Sequence, residues 1–390
     1  MSRLVAIGDL VENSLTWNPT AAVPEETFEY IDLSSVDREQ KRITGAETVL
    51  CGSAPSRARQ LVKSGDVLVS TVRPNLNGVA MVPSELDGAT ASTGFTVLRA
   101  RADRVDRSYL FHWVKNPRFI EDMVSKATGA SYPAVSDRIV RESLIPLPEL
   151  PEQRRIAAIL DKADALRAKR REAIAKLDQL LQSVFLDMFG DPVENPKQWP
   201  KESLAGLFYI ARGGSPRPID AYITEATDGV NWIMIGDTVD GSKYIDGTRK
   251  KIRKEGVVRS RMVRPGDFLL TNSMSFGRPY ILRTSGCIHD GWLVLSPKGS
   301  RTSQDYLHSV LSSRSIYAEF ARRAPGATVK NLNIDLVSGV EVPVPPIEMQ
   351  AVFADAVRQI ELHGQRLQTQ ADEIDTFFAS LQYRAFAGTL

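Results

Sequence analysis

Cysteine is almost missing from this chain: among 390 residues only Cys51 and Cys287 carry a thiol, far apart and with no second thiol or histidine at ligand spacing. This disfavours both a disulfide framework and a structural zinc site, and predicts two reduced, mostly packed thiols. Long apolar runs are missing as well, and the start, MSRLVAIGDL, has neither the apolar core nor the cleavage site of a signal peptide. Both absences predict a cytoplasmic protein with no membrane partner. Charge of one sign is not in excess either, because 49 Lys and Arg stand against 47 Asp and Glu for a net charge of +2. Any affinity for a polyanion must therefore come from local clustering. Also absent are a GxxxxGK[ST] loop, a GxGxxG after a strand, an HExxH helix and a Gly-x-Ser-x-Gly elbow, and His112, His289, His308 and His363 are scattered. The usual signatures of nucleotide, metal-dependent and serine hydrolases are thus lacking.

What is present is a repeat. LPELPEQRRIAAIL, from Leu147 to Leu160, aligns without a gap with VPPIEMQAVFADAV, from Val344 to Val357, at an offset of 197 residues. The same offset relates ATGASYP at Ala127 to APGATVK at Ala324, Tyr109-Leu110 to Tyr306-Leu307, and GFTVLR at Gly94 to GWLVLS at Gly291. Further back, LVKSGDVLVST from Leu61 matches MVRPGDFLLTN from Met262 at an offset of 201, as one loop insertion between two copies would produce. The chain is a tandem duplication of a unit of roughly 190 residues, large enough for each copy to hold its own core.

Each copy has two parts. Short β-branched or aromatic runs bounded by Gly, Pro, Asn and Ser, such as VLVST, GVAMV, FTVLRA, NWIMIGD, DFLLT and WLVLS, predict mostly β domains over residues 1–145 and 191–343. SYLFHWVKN and QDYLHSVLSS read as helices within them. The segments 146–190 and 344–390 are helical: Phe353, Ile360, Leu367, Ile374 and Leu381 recur every seven residues, matched by Ile156, Ala163, Arg170, Leu177 and Val184. The first helix begins at Pro151 and Glu152, as the helix dipole favours, and stops at Gly190-Asp191-Pro192. The fold class expected is α+β, a tandem pair of mostly β domains each followed by a long helix, the two helices packed as an antiparallel coiled coil. A helix of about 35 residues spans about 50 Å, so such a pair would act as a spacer between two similar domains. A ligand with approximate twofold symmetry and an axial repeat, duplex DNA, suits that arrangement.

These residues carry a resemblance. LPELPEQRRIAAILDKADALRAKRREAIAKLDQLLQSVFLDMFGDP is similar to the central region of the specificity subunit of type I restriction-modification systems, with its Pro-Leu-Pro strand end, Glu-Gln, long helix and closing Met-Phe-Gly. RGGSPRPIDAY followed by GVNWIMIGDT resembles the opening of that family's target recognition domains, and FFASLQYRAFAGTL resembles its C-terminus. The C-terminal copy departs at Glu348-Met349-Gln350, where the family usually has Glu-Gln. The resemblance implies a DNA-recognition subunit with no catalysis of its own, whose two domains read the halves of a split target. Its helices would set the gap and dock two modification (methyltransferase) subunits, which restriction (translocase and nuclease) subunits join. No cofactor is implied for this chain; S-adenosylmethionine, ATP and Mg would belong to the partner subunits, and flipping of the target adenine to the methyltransferase.

Contact with double-stranded DNA calls for cations and small polar side chains on loops that can enter the major groove. The first domain offers Arg57, Arg59, Arg73, Asn75, Asn77, Ser131 and Tyr132. The second offers Arg212, Ser215, Arg217, Ser273, Ser275, Arg278, Lys330 and Asn331. Arg249 to Arg264 carries eight basic residues against one acid and reads as a binding stripe, whereas the eight basic residues from Arg154 to Lys176, on a helix, read as a solvated face. Asn116-Pro117-Arg118-Phe119 is similar to the motif with which amino-methyltransferases hold a flipped base, but Arg in third place and the missing cofactor loop favour a helix-ending turn. A stand-alone DNA adenine methyltransferase or nuclease, a specificity subunit of a related (type IIB-like) system, and a scaffold without DNA are the competing readings.

Overall fold

The computed structural model describes residues 3–239, 241–272, 276–324 and 331–390. They form two compact units, Met1–Ala173 with Leu367–Leu390, and Ile174–Arg366. Each unit holds one mostly β domain and a half of each of two long helices, Leu150–Phe189 and Ile347–Ala387. Among the described residues no helix is long and apolar enough to cross a membrane.

In the first unit an antiparallel sheet runs in the order Val79–Met81, Val67–Ser70, Phe95–Ala100, Val11–Glu12. A five-stranded sheet follows the order Leu15–Thr16, Ala58–Leu61, Thr90–Ser92, Thr27–Ile31, Glu47–Leu50, with the Thr90–Ser92 and Thr27–Ile31 pair parallel. The second unit repeats the plan. Pro279–Leu282, Phe268–Thr271, Trp292–Pro297 and Phe208–Arg212 form one sheet, extended by Tyr244–Ile245. Arg261–Val263, Gly286–Ile288, Val230–Ile233, Lys250–Ile252 and Ile223–Thr224 form the other, in which Gly286–Ile288 and Val230–Ile233 are again a parallel pair. The predicted strand runs fall where expected because their alternate side chains fill the cores, as Val67, Val69 and Leu98 do in the first unit and Phe268, Leu270 and Leu293 in the second. Both copies enter the central strand by one turn: Gly65 and Gly266 have φ of +88° and +95°. The next residue, Asp66 or Asp267, accepts the N–H of Lys63 or Arg264 at 2.8 and 2.9 Å.

A two-stranded ribbon then carries each domain to its helix. Arg3–Ala6 pairs antiparallel with Leu144–Leu147, and Lys201–Ser203 with Glu341–Pro343. At the junction a glutamine buried to 1% exposure or less does the same work twice. Gln153 Oε1 accepts the Asp106 N–H at 2.9 Å, and its Nε2 donates to the carbonyls of Pro148 at 2.8 Å and Arg104 at 3.2 Å. Gln350 Oε1 accepts the Ser303 N–H at 2.8 Å, and its Nε2 donates to Pro345 at 2.8 Å and Arg301 at 3.2 Å. Tyr109 and Tyr306 each donate a hydroxyl hydrogen bond of 2.7 Å across the same seam, to Pro146 and Pro343. The departure Glu348-Met349-Gln350 is therefore harmless: the buried member of the motif is the glutamine, and it is kept, while Glu152 pairs with exposed Arg155.

Each domain is completed by the far end of the other copy's helix. Tyr109 and Trp113 pack on Phe386, with ring centroids 5.3 and 5.0 Å apart. Tyr306 packs on Phe189 at 4.9 Å, with Phe353 closing the cluster at 5.4 Å from Phe189. In the first unit the helix halves run antiparallel, since Arg155 reaches the Leu390 carbonyl while Arg167 pairs with Asp375. The second unit pairs Leu177 near Gly364 and Phe185 with Phe353 in the same sense. The seven-residue stripes supply buried Ile156, Ala163, Leu367 and Leu381 to the first unit and Phe353 to the second. The basic run of the first helix is consumed in part by ion pairs, Arg155 with Glu152 and Arg167 with Asp164 and Asp375, in keeping with a solvated face. Both thiols are buried, and Asn116 caps the helix Pro117–Lys126 with its side chain on the Arg118 N–H, the role of a turn.

The first unit's helix seam also pairs buried polar side chains with half-buried carboxylates. His112 Nε2 lies 2.7 Å from Asp161, and Lys115 Nζ 2.9 Å from Asp164. Burial holds His112 below its ordinary value despite the carboxylate, and hydrogen bonds and charge from His112 and Lys115 pull Asp161 and Asp164 down against the opposing effect of burial.

Replacing Gln153 or Gln350 by Ala strands three backbone groups and is expected to lower unfolding stability by about 1–3 kcal/mol; a denaturant midpoint unchanged from wild type would show the junction to be dispensable. A histidine kept neutral in the fold is protonated on unfolding, so the His112 contribution is complete above pH 6.5 and is lost as pH falls through its depressed folded value. Urea midpoints at pH 7.5 and about 5.5 should therefore differ more in wild type than in His112→Gln.

Candidate nucleic-acid interface

In the first unit, backbone hydrogen bonds tie four loop segments into one edge. The Thr93 N–H donates to the Arg57 carbonyl, the Thr71 N–H to Gly94, and the Arg73 N–H to Pro133, at 2.9, 2.9 and 2.7 Å. Arg73 and Asn77 both have a left-handed backbone, φ +50° and +48°, on either side of the tight turn Pro74–Leu76. Proline cannot continue the preceding strand, so the turn lifts Arg73 and Asn75 outward, where both are exposed. The Arg73 guanidinium lies over the ring of Tyr132, 4.6 Å from its centroid, which restrains a long flexible cation before any ligand arrives. Tyr132 and Ser131 are exposed on the facing loop, and Arg38, Ser70, Arg73 and Tyr132 line a cavity of about 140 Å³ between the loops.

The remaining first-domain candidates divide. Arg57 is exposed at the strand entrance, while Arg59 is half-buried and donates to the Ala58 carbonyl. Asn77 turns inward: its Nδ2 donates to the Lys115 carbonyl at 3.3 Å, and its own carbonyl accepts Lys41 Nζ at 2.6 Å. Burial, with the Lys115 charge nearby, lowers Lys41 to about 8. Asn77 thus clamps the loop that carries Arg73.

In the second unit three candidates converge on one residue that sequence reasoning passed over. The Asp290 carboxylate accepts the Ser215 hydroxyl at 2.7 Å and the Arg217 guanidinium at 3.4 Å. Its carbonyl accepts Arg212 Nε at 3.1 Å and Asn272 Nδ2 at 2.7 Å. The Ser215 hydrogen bond holds the Asp290 carboxyl below the usual carboxylate range. Gly213 is obligatory beside it, because an added Cβ would sit 2.0 Å from the His289 carbonyl oxygen. Arg278 is exposed, its backbone N–H held by Thr271 Oγ1 at 2.9 Å, and Asn331 is exposed beside Leu332, whose N–H donates to the Asn272 carbonyl. Ser273, Ser275 and Lys330 lie outside the described residues.

The basic run from Arg249 to Arg264 is split by the fold into two strands and a short helix. Arg249 pairs with Asp237, Lys254 with Asp228 at 3.0 Å, and Lys251 donates to the Thr227 carbonyl. Arg261 instead reaches the Arg212 carbonyl, and the Arg259 backbone closes on Gly214, so these two adjoin the Arg212 to Arg217 loop. The sequence signal for Asp290 was present but faint: Asp290-Gly291 aligns with Thr93-Gly94, a matched turn whose first residue differs in chemistry.

Residues 57–176 match the model of the type I restriction modification DNA specificity domain. The chain is 23% identical over 326 residues to the type I restriction enzyme EcoBI specificity subunit of Escherichia coli, covering 75% of this chain and 68% of that protein. It is 25% identical over 139 residues to the type I restriction enzyme HindI specificity subunit of Haemophilus influenzae, covering 35% of this chain and 30% of that protein. A solved chain from a structural study of complex assembly and conformational transition of the type I R-M system is 26% identical and superposes with a TM-score of 0.64, covering 100% of this chain and 98% of the other. The type I restriction-modification system S subunit from M. genitalium has the same fold, with a TM-score of 0.56 at 12% identity over 98% of this chain and 96% of that one.

Replacing Arg73 by Ala is expected to weaken binding to duplex DNA, whereas Tyr132→Phe, which keeps the stacked ring, should leave affinity within about twofold. Equal affinities for wild type and Arg73→Ala in a fluorescence titration would remove Arg73 from the interface.

Proposed function

The chain belongs to the family of specificity subunits of type I restriction-modification systems, and on that premise we propose how it works: each recognition domain reads one half of a two-part DNA target in the major groove. The observation that carries this reading is the duplicated junction, in which Gln153 and Gln350 hold two domains of one plan to two long helices by the same three hydrogen bonds. A protein that must recognise one contiguous sequence has no use for two such modules with different rims. A split target needs both, and the paired helices would keep the interval between half-sites fixed.

The residues on the rims suit this task. Arg57, Arg73, Asn75 and Tyr132 in one domain, and Arg212, Arg217, Arg278 and Asn331 in the other, are exposed cations, amides and an aromatic ring on loops. Such groups bind phosphates and read base edges. In this reading the chain performs no bond chemistry. Two methyltransferase subunits docked on the helices would bring S-adenosylmethionine, restriction subunits would bring ATP and Mg, and the complex would work in the cytoplasm.

Exchanging residues 1–145 for another recognition domain should change one half of the methylated sequence and leave the other intact, as read by mapping methylated adenines in the host genome. An unchanged pattern would contradict the assignment. DNA affinity of the full chain should fall steeply between about 50 and 200 mM salt, because each neutralised phosphate releases counterions; binding indifferent to salt would count against a phosphate-tracking surface.

A further inference from the structure

One matched turn of the two rims differs in chemistry, Ser92-Thr93-Gly94 in the first unit and His289-Asp290-Gly291 in the second. Its backbone is conserved in design: Ser92 Oγ accepts the Gly94 N–H at 3.2 Å, and His289 Nδ1 accepts the Gly291 N–H at 2.9 Å. Glycine in the second turn leaves room for the ring as placed, since an added Cβ would lie 2.3 Å from His289 Cε1. The consequences diverge. Ser92 is fully buried and its hydroxyl is occupied within the turn. An imidazole that accepts through Nδ1 is neutral and carries its proton on Nε2, so His289 keeps a fixed donor. Burial, which holds its pKa down, favours the same form.

That ring lines a cleft of about 820 Å³ shared with Ser215, Arg217, Asp220, Trp232 and Met234. Trp232 is buried behind it, with ring centroids 6.3 Å apart. Ser215 donates to Asp290, so its hydroxyl is engaged. Arg217 gives Asp290 a single contact at 3.4 Å while its side chain is 80% exposed, leaving other N–H groups open to the cleft. Two residues of one cleft thus offer hydrogen-bond donors, one fixed by tautomer and one steered by a carboxylate, the chemistry that a base edge with two acceptors calls for.

We propose that His289 and Arg217 are specificity-determining residues of the second recognition domain, reading the O6 and N7 acceptors of a guanine in its half-site, with Asp290 as the positioning residue for Arg217. The inference rests on the chain being a DNA specificity subunit. Adenine is rejected because its N6 amino group would face a donor, and the buried Ser92 leaves the first domain without this reader.

The test uses the complete complex in its host, with methylated adenines mapped for wild type, His289→Ala and Arg217→Ala. The second half-site is the half that survives exchange of residues 1–145. Both variants should relax one guanine position in that half, with discrimination there falling by roughly ten- to hundredfold, and leave the first half unchanged. Arg217 is a surface side chain, so its variant keeps the test valid should His289→Ala fold poorly. Full selectivity in Arg217→Ala, or relaxation at an A·T pair or in the first half, overturns the proposal. A wild-type complex that methylates no two-part sequence would overturn the underlying reading as well, which separates the two failures.

Discussion

A neutral carboxamide buried at the start of each long helix is the interaction on which the rest of the molecule depends. The chain arrives there through prolines, whose carbonyls need donors that the ribbon does not provide, and the helix in the neighbouring domain begins with an N–H that needs an acceptor. Glutamine has both functions on one planar group and reaches across the seam without charge. A glutamate in its place would lose the donor and bury a negative charge, and an apolar residue would leave three backbone groups unsatisfied. Gln153 and Gln350 meet equivalent partners at nearly equal distances, so the same hydrogen bonds join domain to helix in both copies.

Duplication has left the interior conserved and the rim free. Tyr109 and Tyr306 make the same hydroxyl hydrogen bond, and Asp66 and Asp267 close the same glycine turn, since a tightly packed interior tolerates few other solutions. At the rim, side chains face solvent and few contacts constrain them. There one copy carries a stacked Arg73 and Tyr132, while the other gathers Arg212, Ser215 and Arg217 around Asp290. Two rims of different chemistry on one scaffold suit a target whose halves differ in sequence.

Much of this is legible in the sequence. The strands and both helices announce themselves through local periodicity, and the buried faces of Ile156, Leu367 and Leu381 follow the seven-residue repeat. Loop residues were harder. Arg73 and Tyr132 were both recognisable as candidates, but they lie 59 positions apart in sequence, and only the Val72 and Ala134 bridge puts the ring beneath the guanidinium. Asn77 resembled its exposed neighbour Asn75 until the left-handed turn directed it inward to the Lys115 carbonyl. Asp290 is marked in the sequence only by the turn it shares with Thr93-Gly94, because its importance lies in what surrounds it.

The sequence by itself determined the duplication, the class of each element and the type of ligand its loops suit, since those depend on short-range pattern and on side-chain chemistry. Only the tertiary structure decided which residues meet. Phe386 completes the first domain and Phe189 the second, and one aspartate orders three donors of a single loop far from it in the chain. Contacts of that kind join positions far apart in the chain, and their geometry comes from the packing of whole elements, which no local pattern encodes.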